Sequence, residues 1–382
     1  MIDIKNVRGE IDKIDEQLVA LFLKRLEIVG QVAASKRERG APVSDPARER
    51  EILSRVTQEV GPEFENGARL FFSTLFSISK ARQRAMLHGD SPLVAEVRAA
   101  QAEYDRKFPS RAMVACAGTE GSYAQQATSL MFPVPTIIYF NDFERVFEAV
   151  EKGLCPYGIL PIENSAAGSV VSVYDLMLKH SFHIVRALRL KIDHVLLAPA
   201  GVKLEDVREV VSHPHALAQC KDFFRKNPQV RQTAGLNTAL AAKEVAASGR
   251  RDLAVIASRA CAELYGLSVV AEGVQDAAFN YTRFICISKN LEIYPDANKF
   301  SIMLSLPHRP GALNGIISKF AAIDVNLTKL ESRPIPGMDF EFRFTFEFDA
   351  VPSDANVLCL LAELAMDPEI EHFDFLGAYA EK

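Results

Sequence analysis

The chain has 382 residues, 48% of them hydrophobic and 24% charged, with a net charge of −5, which excludes a disordered or low-complexity protein and allows two or three domains. The acidic balance argues against nucleic acid as a partner, no apolar run reaches the roughly 20 residues of a membrane span, and the mixed charges at the N-terminus do not fit a signal peptide. The six cysteines form no metal motif, so we expect a cytoplasmic, thiol-reduced protein without metal or other cofactor.

Residues 1–90 are predicted to form an all-helical domain. Apolar residues recur at spacings of three and four over residues 3–39, which predicts one long helix with a coiled-coil seam that ends at Gly40. Asp45 and Pro46 are typical of a helix cap and first helical residue, and a third helix is expected over about 63–87. A helix about 55 Å long buries its seam poorly in a monomer, so we expect an intertwined dimer.

Arg25 occupies a position of this apolar seam, where a buried cation needs an anionic partner. Lys36 lies about 20° round the helix and about 16 Å along it, so the two side chains could hold a small dicarboxylate between them. The following helices add polar residues: Arg48, Glu49, Ser79 and Gln83. Arg8 is about 100° away from Arg25 and could reach such a site only from a partner chain. The alternative is that Arg25 pairs with a core glutamate and Lys36 is solvated.

This pattern resembles the all-helical chorismate mutase domain over residues 3–87. The matching positions are Arg8, Arg25, Lys36, Asp45, Arg48, Glu49, Ser79 and Gln83. The resemblance implies that chorismate is rearranged to prephenate, with Arg8, Arg25 and Arg48 on its carboxylates. It also implies that Lys36 and Gln83 act on the ether oxygen, that Glu49 binds the hydroxyl, and that the dimer shares its sites.

After a predicted linker at 91–110, residues 111–289 alternate short apolar strands with helices, which predicts an α/β domain with a mostly parallel sheet in two lobes. The predicted strands are 113–117, 136–140, 157–161, 194–198, 209–212, 253–256 and 283–288. Polar stretches lie at strand ends, where open α/β sheets bind ligands: 121–123, 161–165, 212–214 with Gln219, and 280–284. Each could be a simple turn. Ser212 and His213 do not predict a hydrolase, because adjacent residues of a strand point to opposite faces.

Together these stretches resemble the prephenate dehydratase domain over about residues 112–288, a two-lobed fold like that of periplasmic binding proteins. The Pro-Ile-Glu-Asn, Ser-His-Pro…Gln-Cys and Thr-Arg-Phe signatures match, whereas Ala124 and Gln125 depart from the family. The resemblance implies conversion of prephenate to phenylpyruvate, with Thr282 as a weak acid, Arg283 near the carboxylate and Phe284 against the ring. The implied hydrogen-bonding wall is Asn164, Ser165, Ser212, His213, Gln219 and Thr238. Glu163 is interpreted as structural or as orienting Asn164.

Residues 298–380 are predicted to follow the order βαββαβ of the ferredoxin-like fold. Phenylalanine at every second position from Phe340 to Phe348 indicates a strand with one buried face. Two stretches resemble the amino-acid site of the ACT domain: Gly311, Ala312, Leu313, and Glu331, Ser332, Arg333, Pro334. The resemblance implies L-phenylalanine as effector, and the alternative is a helix start and a hairpin turn.

The whole chain resembles the bifunctional chorismate mutase–prephenate dehydratase family with a C-terminal ACT domain. We therefore expect small carboxylates (chorismate, prephenate and phenylalanine) and a second copy of the chain as partners, without nucleic acid or membrane. Two alternatives stay open. The middle domain could act on arogenate, the amino analogue of prephenate, or the chain could be a non-catalytic amino-acid sensor.

Overall fold

The computed structural model describes residues 3–39, 41–88, 91–277, 279–335, 337 and 341–382. The helices are α1 (Ile4–Arg39), α2 (Pro46–Val60), α3 (Glu65–His88), α4 (Pro92–Glu103), α5 (Tyr123–Met131), α6 (Phe143–Glu151), α7 (Val171–Met177), α8 (Pro214–Ala218), α9 (Lys221–Lys226), α10 (Thr238–Ala247), α11 (Ala260–Tyr265), α12 (Ala312–Ala322) and α13 (Ala355–Ala365), with a short 3₁₀ helix at Leu204–Asp206. The strands are β1 (Arg111–Ala117), β2 (Val134–Phe140), β3 (Tyr157–Asn164), β4 (Gly168–Ser169), β5 (His183–Lys191), β6 (His194–Pro199), β7 (Glu209–Ser212), β8 (Arg231–Ala234), β9 (Leu253–Ser258), β10 (Leu267–Ala271), β11 (Tyr281–Ser288), β12 (Lys299–Ser305), β13 (Leu327–Pro334), β14 (Phe342–Asp349) and β15 (His372–Glu381).

The chain divides into two compact units. The helical unit comprises Met1–Glu96 with Leu358–Ile370, and the α/β unit comprises Val97–Val357 with Glu371–Lys382. In the helical unit, α1 and α2 both pack against α3. Asp45 caps α2 by accepting a 3.0 Å hydrogen bond from the Arg48 amide, as predicted. Gly40, the predicted end of the first helix, lies outside the described residues.

The predicted apolar seam of α1 is largely exposed in the single chain. Only Val29 and Ala33, in the C-terminal part of α1, are buried. The exposed seam residues are Ile4, Val7, Ile11, Ile14, Leu18, Leu21, Ile28 and Val32. A contiguous apolar stripe of this length is unusual on the surface of a monomer.

The α/β unit contains two lobes, as predicted. Lobe 1 has the strand order β5-β11-β3-β1-β2, with β4 beside β3, and lobe 2 has the order β10-β6-β9-β7-β8. The prediction of a mostly parallel sheet is wrong. β1 runs parallel to β2 and β3, but β11 runs antiparallel to β3 and β5. The reason is that the chain leaves lobe 1 after β5, builds lobe 2, and re-enters lobe 1 as β11 from the opposite end.

Both faces of the lobe 1 sheet are covered, and this fixes the direction of each side chain of β11. Phe284 and Cys286 belong to the apolar core that includes α5. Ile285 and Ile287 belong to the core that includes α6 and α7 on the other face. The pairing of β11 with β3 shifts between Arg283 and Phe284, where Ile162 of β3 is the extra residue, but β11 stays in continuous register with β5 there. Successive residues of β11 therefore alternate between faces, so Thr282 lies on the face of Phe284, and Arg283 lies on the opposite face.

The C-terminal strands form an antiparallel sheet in the order β13-β14-β12-β15, the arrangement expected for a βαββαβ chain. Phe346 and Phe348 of β14 pack on Phe320 of α12, with ring centroids 5.8 and 4.9 Å apart. This is the predicted buried phenylalanine face, although Phe340 lies outside the described residues.

β15 also pairs in parallel with β5, so the C-terminal sheet and the lobe 1 sheet are continuous, which the sequence did not predict. Gly377 makes the close approach feasible: its φ is +139°, and a Cβ there would lie 2.3 Å from the Ile184 carbonyl oxygen.

The predicted linker is partly ordered structure. It contains α4, in which Val97 and Ala100 are buried, and the ring of Tyr104 packs against Tyr294 with centroids 5.6 Å apart. Within the described ranges, no helix combines the length and apolarity needed to cross a membrane.

Candidate active sites

In the helical unit the structure brings Arg25 and Ser79 together. Arg25 Nη1 donates to the Ser79 hydroxyl and, at 3.2 Å, to the Leu75 carbonyl oxygen. Partial burial lowers the pKa of Arg25 from its ordinary value, and a guanidinium still keeps its charge at neutral pH. Arg25 therefore contacts neutral oxygen atoms rather than the core glutamate of the alternative interpretation. Its positive charge is left without an anionic partner among the described residues and can attract an anionic ligand.

Gln83 lies one helical turn after Ser79 and is only 6% exposed. Its Oε1 has no hydrogen-bond partner among the described residues. Buried polar atoms without a partner are uncommon, and each one asks for an explanation. A ligand that offers a hydrogen-bond donor such as a hydroxyl to Gln83 Oε1 would supply that explanation.

The remaining helical candidates are engaged elsewhere. Lys36 Nζ donates to the Val43 carbonyl oxygen at 2.6 Å, and Arg48 pairs with Glu51 at 2.7 Å on the surface. Glu49 pairs with Lys80 at 3.3 Å. The sequence analysis did not name Lys80 as a site residue, although Lys80 lies between the predicted site residues Ser79 and Gln83 on α3. Asp45 acts here only as the cap of α2.

Arg8 is exposed near the start of α1. It precedes Arg25 by 17 residues, which is about 25 Å along a helix. Arg8 therefore cannot reach Arg25 within one chain, and its supply by a partner chain stays a prediction.

In lobe 1 the structure brings Asn164 and Thr282 together at the paired ends of β3 and β11. Asn164 Nδ2 donates to Thr282 Oγ1 at 2.9 Å and to Asn280 Oδ1 at 2.8 Å, and Asn164 Oδ1 accepts from the amides of Ala166 and Ala167. The Asn164 amide group is thus held by four hydrogen bonds. Because Thr282 Oγ1 already accepts one, its hydroxyl hydrogen is left to donate to a ligand.

The same network continues into lobe 2. Asn280, which is buried, donates from Nδ2 to Gln219 Oε1 at 2.8 Å, and His194 Nε2 lies 3.2 Å from that oxygen. The Tyr123 hydroxyl lies 3.1 Å from His194 Nδ1. Sequence reasoning missed His194 and gave Asn280 no role, although it placed Asn280 in a polar stretch at a strand end. This path ties the predicted Gln219 to the Asn164–Thr282 pair.

Burial lowers the pKa of His194 to about 4, although Gln219 and Asp193 act in the opposite direction. His194 is therefore neutral at physiological pH and serves as a hydrogen-bonding group rather than a cation. Burial likewise raises the pKa of Tyr123, with Asp193 adding to the effect. His194 and Tyr123 are therefore both uncharged at neutral pH.

Other predicted wall residues have local roles. Ser212 is fully buried and donates to the Ile256 carbonyl oxygen at 2.5 Å, and His213 caps α8. Ser165 joins the ends of β3 and β11 by accepting from the Tyr281 amide at 2.9 Å. Thr238 is the first residue of α10. Gln125, one of the two departures from the family pattern, accepts from the Gly121 amide at 2.5 Å.

The expected placements of Arg283 and Phe284 need correction. Phe284 is buried in the lobe 1 core, so it has no free face for a substrate ring. Arg283 lies on the opposite face from Thr282, and its Nη1 donates to Glu347 of β14 at 2.5 Å. An exposed apolar side chain of the same segment is Phe279, which is 81% exposed and whose carbonyl oxygen accepts from Ser165 Oγ at 3.3 Å.

The predicted effector residues lie in two places. Gly311 precedes α12 in a left-handed conformation with φ of +84°, followed by Ala312 and Leu313. Ser332 and Pro334 are exposed on β13. In contrast, Glu331 accepts from the Ser169 hydroxyl at 2.8 Å, and Arg333 pairs with Asp175 at 2.7 Å, so both side chains contact lobe 1.

A cavity of about 510 Å³ lies on lobe 1. Its lining includes Phe108, Arg186 and Asp296. It contains none of the predicted site residues, so we do not assign the dehydratase site to it. Within the described part of the chain, no group of His, Cys, Asp and Glu side chains is arranged to hold a metal ion.

The fold and the two sites define a chain with one polar site in a helical unit and another at the junction of two α/β lobes. Residues 7–84 match the family described as chorismate mutase type II, and residues 114–292 match the family described as prephenate dehydratase. The chain belongs to the prephenate dehydratase family and carries a chorismate mutase type II domain in the same polypeptide, as the sequence predicted.

Individual relatives agree with this assignment. Arogenate dehydratase/prephenate dehydratase 2, chloroplastic, from Arabidopsis thaliana is 40% identical over 67% of this chain and 71% of its own length. Arogenate dehydratase 2 from Petunia hybrida is 42% identical over 59% of this chain, which spans only 58% of that relative.

Among solved structures, the prephenate dehydratase of Arthrobacter aurescens in complex with L-Phe is 30% identical, with a TM-score of 0.64, over 70% of this chain and 89% of that one. GqqA, described as a novel type of quorum quenching acylases, is 27% identical, with a TM-score of 0.63, over 71% of this chain and 98% of that one.

The expected cytoplasmic location is corrected by these findings. Two Arabidopsis thaliana relatives that match two thirds of this chain are chloroplastic by name. The absence of metal motifs and the spacing of the cysteines therefore did not establish a compartment.

Proposed function

We propose that the helical unit rearranges chorismate to prephenate and that the α/β unit converts prephenate to phenylpyruvate, with L-phenylalanine as an effector of the C-terminal sheet. The observation that carries the proposal is the Asn164–Thr282 pair, whose 2.9 Å hydrogen bond leaves one hydroxyl hydrogen available at the lobe junction. The domain matches support both reactions.

For the mutase reaction, the chain needs no nucleophile, because one carbon–oxygen bond breaks and one carbon–carbon bond forms within the substrate. Arg25 would hold a carboxylate and Gln83 would donate to the ether oxygen as negative charge develops on it. Lys36 and Arg48 would turn from their present partners, the Val43 carbonyl and Glu51, to the ligand.

For the dehydratase reaction, the substrate loses CO₂ and its ring hydroxyl, and the ring becomes aromatic. The electrons of the broken carbon–carboxylate bond enter the ring, and the hydroxyl leaves as water after gaining a proton. Thr282 would donate to that departing oxygen, oriented by Asn164, and Phe279 offers apolar surface for the ring. Arg283 takes no direct part, since it lies on the other face of β11.

A homodimer would complete the mutase sites. The exposed seam of α1 supplies an apolar surface for a second copy, and Arg8 of that copy would extend along the seam toward Arg25. Gly311 and Ser332 are the candidate contacts for phenylalanine, supported by a solved relative that is described in complex with L-Phe.

The first experiment measures phenylpyruvate formed from chorismate by the full chain, with and without phenylalanine. We expect product that falls when phenylalanine is added. The matched variant is Thr282→Val, which keeps the shape but removes the donor. It should still form prephenate and should make phenylpyruvate at least about 100-fold more slowly. Phenylpyruvate at the parent rate from this variant would refute the role of Thr282.

Arogenate is a second candidate substrate, favoured by the names of the plant relatives. Supplying arogenate or prephenate directly to the full chain tests it, because the product from arogenate would be phenylalanine. A higher kcat/KM for arogenate than for prephenate would assign the α/β unit to that substrate. No turnover of either compound would favour a sensing role.

A further inference from the structure

Strands β3 and β11 present two cross-strand pairs, one on each face. Asn164 is in register with Thr282, and Glu163 is in register with Arg283. The first pair forms the proposed acid site. Since neighbouring residues of a strand point to opposite faces, the second pair lies directly behind the first. It does not reach the lobe junction, so substrate contact does not explain it.

The C-terminal sheet holds both members of this second pair. Lys329 Nζ of β13 lies 3.1 Å from Glu163 Oε2, and Glu347 Oε2 of β14 accepts from Arg283 Nη1 at 2.5 Å. Arg283 Nη2 also lies 3.1 Å from Glu381 Oε2 of β15. The Arg283 and Glu347 side chains are only 7% and 2% exposed, so water screens their interaction little and its strength depends on exact placement.

Several polar atoms of this buried cluster lack hydrogen-bond partners among the described residues. They are Arg283 Nε, Glu347 Oε1 and the Tyr174 hydroxyl. Burial raises the pKa of Tyr174, and the nearby carboxylate of Glu347 raises it further. An unpaired buried polar atom is costly, so the energy of this cluster is sensitive to the exact placement of its groups. A displacement of β13 or β14 would therefore change the interactions of Glu163 and Arg283.

We propose that Glu163 and Arg283 are positioning residues for dehydration, which hold Asn164 and Thr282 in place only while Lys329 and Glu347 hold them. This inference rests on the proposed function of the α/β unit. The C-terminal sheet is then a structural requirement for catalysis rather than an appended domain. A ligand that displaces β13 or β14 acts on kcat through this pair.

The test variant is Glu347→Gln, which keeps the size of the side chain and removes its charge. We expect kcat for prephenate to fall about tenfold with KM changed less than about twofold, because placement rather than binding is lost. Chorismate turnover by the same protein should stay at the parent rate. The matched control is Arg343→Gln. Arg343 also projects from β14, but it pairs with Asp374 within the C-terminal sheet, and its variant should behave as the parent.

A second variant separates positioning from stability. Arg283→Met with Glu347→Met removes both buried charges at similar volume, a change that proteins often tolerate without loss of stability. Glu381 would keep Lys299 as a partner at 3.6 Å. We expect a urea midpoint close to the parent's and a kcat that stays about tenfold low.

Three outcomes would overturn the inference. They are parent kcat in Glu347→Gln, parent kcat in the folded double variant, and an equal loss in Arg343→Gln. A parent chain that makes no phenylpyruvate from prephenate would instead refute the proposed function, and the inference with it.

Discussion

The neutral, buried His194 makes the stability of the α/β unit depend on pH in a calculable way. Its pKa falls from 6.5 to about 4 on folding, chiefly through burial. The native state keeps His194 unprotonated, whereas the unfolded chain binds a proton below its own pKa of 6.5. The contribution of neutral His194 to the free energy of unfolding is therefore fully present above pH 6.5 and is lost as the pH falls toward 4. A shift of this size corresponds to about 3 kcal/mol.

The perturbation is His194→Gln, which removes the titrating ring and keeps a hydrogen-bonding group for Gln219. Urea unfolding followed by circular dichroism at pH 7, 6, 5 and 4 gives the loss of unfolding free energy for each protein. We expect the parent to lose about 3 kcal/mol more than the variant between pH 7 and 4. The carboxylates contribute equally to the pH dependence of the parent and of the variant, so their contribution cancels in the difference between the two proteins. Equal losses in the two proteins would show that His194 does not stay neutral in the folded state.

Three further changes test the remaining assignments. Arg25→Ala should lower chorismate turnover by about 100-fold while added prephenate is still dehydrated at the parent rate, and loss of both activities in a folded protein would contradict two separate sites. Leu18→Glu should weaken dimerisation by about 3–6 kcal/mol for the two buried copies of the side chain, measured by sedimentation, and an unchanged assembly would place the interface elsewhere. Ser332→Ala should raise the phenylalanine concentration needed for half inhibition with little change in the uninhibited rate, and unchanged inhibition would exclude Ser332 from the effector site.

Patterns confined to one element were predicted well. The spacing of apolar residues predicted α1, the Asp45-Pro46 pair predicted the start of α2, and the alternation of phenylalanines predicted β14. Pairings between distant segments were not predicted, because no local pattern encodes them. The joining of β15 to β5 depends on Gly377 approaching Ile184, which only the folded chain reveals.

The placement of Arg283 and Phe284 shows a different kind of error. The three residues of the Thr-Arg-Phe signature were assigned to one site because the family resemblance implies a role there for each of them. The alternation that argued against a Ser212–His213 pair also applies to this strand, and it places Arg283 behind Thr282. Phe284 shares the face of Thr282 but lies deeper in the apolar core. The signature therefore identified the strand correctly but not the face on which each side chain lies.

The strand β15 also protects lobe 1 from its neighbours in solution. Without it, β5 would be a bare edge whose N–H and C=O groups could pair with the strand of another molecule. Excising the C-terminal module would therefore remove more than the proposed effector site, because the cut would leave an unpaired, aggregation-prone strand edge on lobe 1. A minimal version of the α/β unit would need to retain His372–Glu381, or carry charged or proline substitutions on β5, to remain monodisperse.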